Sequence, residues 1–335
     1  MTTSRPPINE PADQRPVSAP TTGSGTSQGR LRRARRRARA AATLAALRGQ
    51  LRVLEAVAPD AAARRATELW CTLPPGARSR DHRRSAGTVT RLPAPRGGDV
   101  VVEVWGEGPV VYLVHGWGGW RGQLGAFVGP LTDAGYRVVA FDAPGHGEAA
   151  PGFMGPGRGT LMELMEALEV TARELGPAAG VVAHSLGTTA AAHVVRASLP
   201  AGRLALVAPN YGFEEVVRRL AGVLRLRERT TNALRDSLEE VTQRPLASFD
   251  LGPLGADGSM PDTLVVHDRH DKESPYEVGV ELAGAWPNAR LMTTEGLGHQ
   301  RILADEAVVA AVVGHLTGPT SPGGRHACGE QRTPA

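Results

Sequence analysis

Aromatic side chains make up only 4% of this 335-residue chain. Lys272 is its only lysine, so almost all of the 38 basic groups are arginines. Together with abundant Ala, Gly and Pro, this is the compositional bias of a GC-rich genome, and arginine content alone carries no functional message. The two cysteines, Cys71 and Cys328, lie far apart near the two ends. That excludes a disulfide framework and a cysteine-based metal site, and it fits a reducing cytoplasm. No apolar run approaches the roughly 20 residues of a membrane-spanning helix. The segment Ala40–Leu47 is short, alanine-dominated and broken by Arg48, so it does not read as a signal sequence and the protein is expected to stay cytoplasmic. No phosphate loop, dinucleotide fingerprint or metal-ligand spacing is present, and neither a cofactor nor a metal is expected.

At 41% hydrophobic content the chain can bury a sizeable core. The net charge of +4 is unevenly spread. Arg30, Arg32, Arg33, Arg35, Arg36, Arg37 and Arg39 form one dense block. The block reads as a solvated arm, or as a weak contact with an anionic membrane surface. No aromatics interleave with it and no nucleic-acid fold follows, so a nucleic-acid partner is not expected.

Residues 1–29 are polar and rich in Pro, Ser, Thr and Gly, the signature of a disordered arm. Residues 30–99 read as a basic, helical N-terminal extension. In it Leu44, Leu47, Leu51, Leu54 and Val57 form one stripe, Pro59 interrupts, and a second helix runs through Ala61–Leu69. From Val100 short β-branched runs alternate with helical stretches up to residue 317. Strands are expected at Val100–Trp105, Val110–Val114, Arg137–Phe141, Val181–His184, Leu204–Val207, Thr263–His267 and Arg290–Thr293. Helices are expected near Gln123–Ala134, Leu161–Leu175, Thr188–Ser198, Tyr276–Trp286 and Asp305–Leu316. This alternation predicts an α/β fold, a mainly parallel sheet flanked by helices, with ligands bound beyond the carboxyl ends of the strands. About residues 210–260 the rhythm breaks. Phe213, Val216, Val217, Leu220 and Val223 stand at helical spacing, followed by a helical piece near Ala233–Val241. The insertion reads as a small lid, or as one packing helix plus a loop. Residues 318–335 read as a flexible tail.

The chemistry-bearing residues follow the strands. Val181-Val182-Ala183-His184-Ser185-Leu186-Gly187 leads into a helix-forming run, the strand–elbow–helix context of a nucleophilic serine. Small neighbours are needed because the elbow is strained. The helix start places backbone N–H groups at Ser185. Activating a serine hydroxyl takes a neutral imidazole, itself oriented by a carboxylate. His299 is the candidate base, in a glycine context after a strand. The carboxylate is Asp268 or Asp271, and Asp271 is preferred because a turn can aim it back across the strand ends. The Gly-rich run His115-Gly116-Trp117-Gly118-Gly119 is a candidate oxyanion loop, with the Trp117 and Leu186 amides converging on one oxygen. His146, in a tight Pro-Gly loop, reads as structural. His184 is expected to point away from Ser185 and to pack or hydrogen-bond locally.

Together, His115–Gly119, Asp142–Gly147, Ala183–Gly187, Asp271 and Gly298–His299 resemble the α/β-hydrolase superfamily over roughly Val100–Leu316. The likeness points to the bacterial esterase, lipase and serine-aminopeptidase-like branch. It implies the α/β-hydrolase fold, a Ser185–Asp271–His299 triad and an oxyanion hole at Trp117 and Leu186. Ala183 departs from the commonest pattern, which has glycine there. The expected function is a cofactor-free serine hydrolase cleaving a carboxylic ester of a small-molecule acyl substrate. Acyl transfer, thioester cleavage and a catalytically silent binding protein are the alternatives.

Overall fold

The computed structural model describes residues 27–74, 80–210 and 212–318. Eight strands form one sheet in the order β1-β2-β4-β3-β5-β6-β7-β8. They are β1 Thr88–Pro93, β2 Asp99–Trp105, β3 Val110–Val114, β4 Arg137–Asp142, β5 Ala178–His184, β6 Arg203–Val207, β7 Asp262–Asp268 and β8 Ala289–Thr294. β2 pairs antiparallel with β1 and with β4, and all other pairings are parallel. The central strands β3 and β6 are buried throughout, as strands covered on both faces must be. One core layer holds Val102, Tyr112, Val114 and Val181 against Leu164 and Leu168. The other holds Val111, Leu113, Val138 and Val182 against Phe127, Val308 and Val312. Alternate residues of each strand thus feed opposite layers.

The helices in chain order are α1 Ser27–Val57, α2 Pro59–Trp70, α3 Val128–Asp133, α4 Leu161–Leu175, α5 Leu186–Ala197, α6 Phe213–Leu224, α7 Glu228–Thr242, α8 Leu251–Leu254, α9 Tyr276–Ala285, α10 Gly298–Arg301 and α11 Glu306–Thr317. Thr160 caps α4 by accepting from the Glu163 N–H, and Asp305 caps α11 by accepting from the Ala307 and Val308 N–H groups. Among the described residues no helix is long and apolar enough to cross a membrane.

Several boundaries differ from the sequence expectation. The predicted helix at Gln123–Ala134 is a 3-10 turn, Arg121–Phe127, followed by the short α3; Gly122, Gly125, Gly129 and Pro130 weaken a continuous helix there. Strand β1 was not expected, and the sheet therefore begins inside the stretch read as the helical extension. Of the predicted 1–29 arm, residues 1–26 lie outside the described residues, whereas 27–29 belong to α1. Of the predicted tail, only Gly318 is described, and Cys328 lies outside as well.

The chain divides into two units, one ending at Gly49 and one starting at Gln50. In the first, Arg32, Arg35, Arg36, Arg37 and Arg39 are exposed along α1; the side chains of Arg30 and Arg33 lie outside the described ones. In the second, the predicted stripe is only partly inward. Leu51 is buried, whereas Val57 is 75% exposed.

Candidate active site

Ser185 joins β5 to α5 with φ 54° and ψ −126°, a left-handed conformation that few non-glycine residues adopt. The surroundings enforce it. The Ser185 N–H donates to the Val207 carbonyl at 3.0 Å, and its carbonyl accepts the Thr188 N–H at 2.9 Å and the Thr188 hydroxyl at 2.6 Å. A Cβ at position 187 would lie 2.4 Å from the His115 carbonyl oxygen, so only glycine fits there. Ala183, by contrast, is fully buried within β5 and paired in register with Val114 and Leu206. The elbow accepts this methyl.

His299 is buried on α10, one residue after Gly298 at φ +66°, and lines the same two cavities as Ser185. Its Nδ1–H donates to Asp271 Oδ2 at 2.7 Å. That bond leaves the lone pair on Nε2, the state a general base requires. Nε2 lies 3.9 Å from Oε2 of the exposed Glu273. Among the described residues, no hydrogen bond yet joins Ser185 Oγ to the ring.

The buried Asp271 side chain is used on both oxygens. Oδ1 accepts the N–H groups of Glu273 at 2.8 Å and Ser274 at 3.0 Å. Oδ2 takes the His299 bond and stands 3.5 Å from His267 Nε2. Burial alone would raise its pKa, but the nearby His267 imidazole and the His299 hydrogen bond win and hold the carboxyl well below the usual range. Asp268, the rival, turns elsewhere. It accepts the Leu297 N–H, the His270 N–H and the Thr294 hydroxyl, so it shapes the loop that carries His299.

His184 and His146 are structural, and burial keeps both neutral. His184 Nε2–H donates to the His299 carbonyl at 2.9 Å, and the two rings lie 4.7 Å apart. Its partner is thus 115 residues away rather than local, and His184 steadies the backbone of the candidate base. Burial drives its pKa down to about 3. His146 packs against His115 at 4.9 Å and Trp117 at 5.7 Å, its Nδ1–H donates to the Pro144 carbonyl, and burial again lowers its pKa to about 3.

The Trp117 and Leu186 amides flank the site. Leu186 opens α5, so its N–H has no partner within the helix, and no turn or loop bond among the described residues uses either amide. Behind this loop lies an ionic cluster that the sequence did not reveal. Buried Arg121 contacts Glu103 at 2.7 Å, Glu148 at 2.6 Å and Asp142, and Arg83 reaches Glu103 at 2.6 Å. The cluster ties the 3-10 turn after the Gly-rich loop to the Asp142–Gly147 loop. Its acidic members lie 18 to 27 residues from Arg121 along the chain, so no local pattern announces them.

Two cavities meet at Ser185. The larger, about 380 Å³, is mainly apolar, with Trp70, Leu161, Phe213, Val216 and Leu220 in its walls and Ser185 and His299 at its edge. The smaller, about 220 Å³, is more polar, with Arg80, Gln123, Glu273 and Gln300 around the same serine and histidine. The 210–260 insertion therefore lines the site through α6. Glu273 and Trp70 were missed by the sequence reading: one is a loop acid among many, and the other lies in the upstream helical extension. Among the described residues no cluster of His, Cys, Asp or Glu could hold a metal ion.

The sequence model of the Alpha/beta hydrolase family matches residues 111–312. The chain belongs to the α/β hydrolase family. It is 36% identical over 95 residues to a non-heme chloroperoxidase of Kitasatospora aureofaciens, covering 27% of this chain and 32% of the relative. It is 48% identical over 48 residues to a pimeloyl-[acyl-carrier protein] methyl ester esterase of Methylococcus capsulatus, covering 14% and 18%. These two relatives are thus matched over a third of their length or less. A solved esterase from Exiguobacterium antarcticum shares the fold at 17% identity and a TM-score of 0.52, covering 68% of this chain and 99% of that one. As an α/β hydrolase, the chain carries an eight-stranded, mostly parallel sheet preceded by a helical region.

Proposed function

We propose that this α/β hydrolase is a serine hydrolase that cleaves carboxylic esters with an apolar acyl group. The observation that carries the reading is the site at Ser185: a strained elbow serine sharing two cavities with His299, whose Nδ1 is 2.7 Å from a buried carboxylate. Ser185 Oγ attacks the ester carbonyl while His299 Nε2 takes its proton. Asp271 holds the imidazole in the productive tautomer and balances the imidazolium. The Trp117 and Leu186 N–H groups receive the oxyanion. His299 then passes the proton to the departing alkoxide, leaving an acyl-Ser185 ester. A water deprotonated by His299 releases the acid. The apolar walls around Ser185 favour a hydrocarbon acyl group, and relatives named as esterases support ester chemistry.

The test is a series of p-nitrophenyl esters of increasing acyl length, with thioester and anilide analogues beside them. Turnover of the esters is expected to exceed that of both analogues. Faster turnover of the thioester would replace this reading by thioester cleavage.

A further inference from the structure

The walls of the apolar cavity do not all come from the family-matched core. Leu69, Trp70 and Thr72 line it from the end of α2, upstream of residue 111. The Trp70 ring lies 5.9 Å from that of Phe213, at an interplanar angle of 43°. Phe213 opens α6, which also presents Val216 and Leu220 to the cavity. The aromatic pair therefore closes one wall from two separate parts of the chain.

The segment bearing Trp70 is fixed rather than loosely draped. The Leu73 N–H donates to the Gly157 carbonyl at 2.9 Å, and the Gly159 N–H donates to the Cys71 carbonyl at 3.0 Å. These bonds flank an antiparallel bridge between Thr72 and Arg158. The Cys71 side chain is buried, and desolvation raises its pKa to about 11, so it serves as a small apolar anchor. Pro74 then reaches the other cavity. It packs so closely on the candidate oxyanion loop that a Cβ on Gly118 would sit 2.3 Å from the proline ring. Residues 70–74 thus form a pinned strap that lines the apolar cavity at one end and the polar cavity at the other.

We propose that Trp70 is the specificity-determining residue for the acyl group. Its indole, held against Phe213, bounds the apolar cavity and limits the length of the acyl chain that can lie there while the carbonyl sits at Ser185. A volume of about 380 Å³ is at the small end for a ligand site, so the loss of an indole changes the accessible length substantially. The polar cavity, with Arg80, Glu273 and Gln300, is left for the leaving group and the attacking water. This inference rests on Ser185 forming the acyl-enzyme.

The experiment compares wild type, Trp70→Ala, Trp70→Phe and Phe213→Ala in the full chain. Each is first labelled with a fluorophosphonate and then assayed with p-nitrophenyl butyrate and octanoate. The ratio of kcat/KM for octanoate over butyrate should rise about tenfold or more in Trp70→Ala. It should rise in Phe213→Ala as well, and stay near wild type in Trp70→Phe. Variants that label at Ser185 like wild type yet keep the wild-type ratio overturn the proposal and leave the serine-hydrolase reading standing. A wild type that does not label removes the reading, and this inference with it.

Discussion

Replacing Asp271 by asparagine is the most incisive change short of removing the serine. Both carboxylate oxygens are committed. Oδ1 accepts two backbone N–H groups, from Glu273 and Ser274. Oδ2 accepts the His299 Nδ1–H. An asparagine has the same size and one oxygen. The two backbone donors will claim that oxygen, because an NH2 group there would face donors. The NH2 must then point at His299. The ring can meet it only by turning its lone pair onto Nδ1 and its proton onto Nε2. A base protonated on Nε2 cannot take the Ser185 proton. The expected loss in kcat is about 10³- to 10⁴-fold, the scale of a mis-set tautomer in a Ser-His-Asp template, or roughly 4–5.5 kcal/mol of barrier. KM should change little, since Asp271 does not line the cavities. The assay is p-nitrophenyl butyrate hydrolysis beside a thermal melt that confirms the fold. A fall in kcat smaller than about tenfold, in a folded variant, would refute the assignment of Asp271 as the orienting group.

Two further outcomes are expected. His115, His146 and His184 are buried and neutral, with pKa values driven by desolvation from near 6.5 to about 4, 3 and 3. The unfolded chain takes up their protons below about pH 6.5 and the folded chain does not until near pH 4. The stability they permit is therefore complete above pH 6.5 and is lost as pH falls through that window, by about 2 kcal/mol each at pH 5. Urea midpoints at pH 7 and pH 5 check this, and equal midpoints contradict it. The exposed arginines of α1 are proposed to contact anionic lipid, so co-sedimentation with phosphatidylserine vesicles should weaken when Arg32, Arg35, Arg36, Arg37 and Arg39 become glutamine. Unchanged sedimentation rejects that contact.

What could be read from the sequence follows from how local each signal is. The strands β2 to β7 announce themselves as short apolar, often β-branched runs, because a sheet buried on both faces needs apolar residues at nearly every position. Helix α4 was predicted at its observed bounds, Leu161–Leu175, since its apolar period is regular and Thr160 and Glu163 form its cap. Strand β1 was invisible for the opposite reason. Five of its six residues are exposed, and Arg91 and Pro93 are the marks of a guarded edge rather than of a core strand. Ser185 and His299 were legible as candidates because each follows a strand in a distinctive small-residue or glycine setting, and Asp271 because a turn after β7 can aim it back across the strand ends. The structure brings Asp271 and His299 into contact and places Ser185 and His299 in the walls of the same two cavities. The ionic cluster at Arg121 and the strap carrying Trp70 had no such setting. Both depend on segments that meet only after the sheet forms. His184 belongs to the same class: next to the serine in sequence, it acts on the backbone of His299.

The central claim is that Ser185 is the nucleophile, and the most direct measurement is the intact mass of the protein after a fluorophosphonate, followed by peptide mapping. The account predicts one adduct, carried by the peptide containing Ser185 and absent from Ser185→Ala. No adduct on the wild type, or an equal adduct on Ser185→Ala, would contradict it.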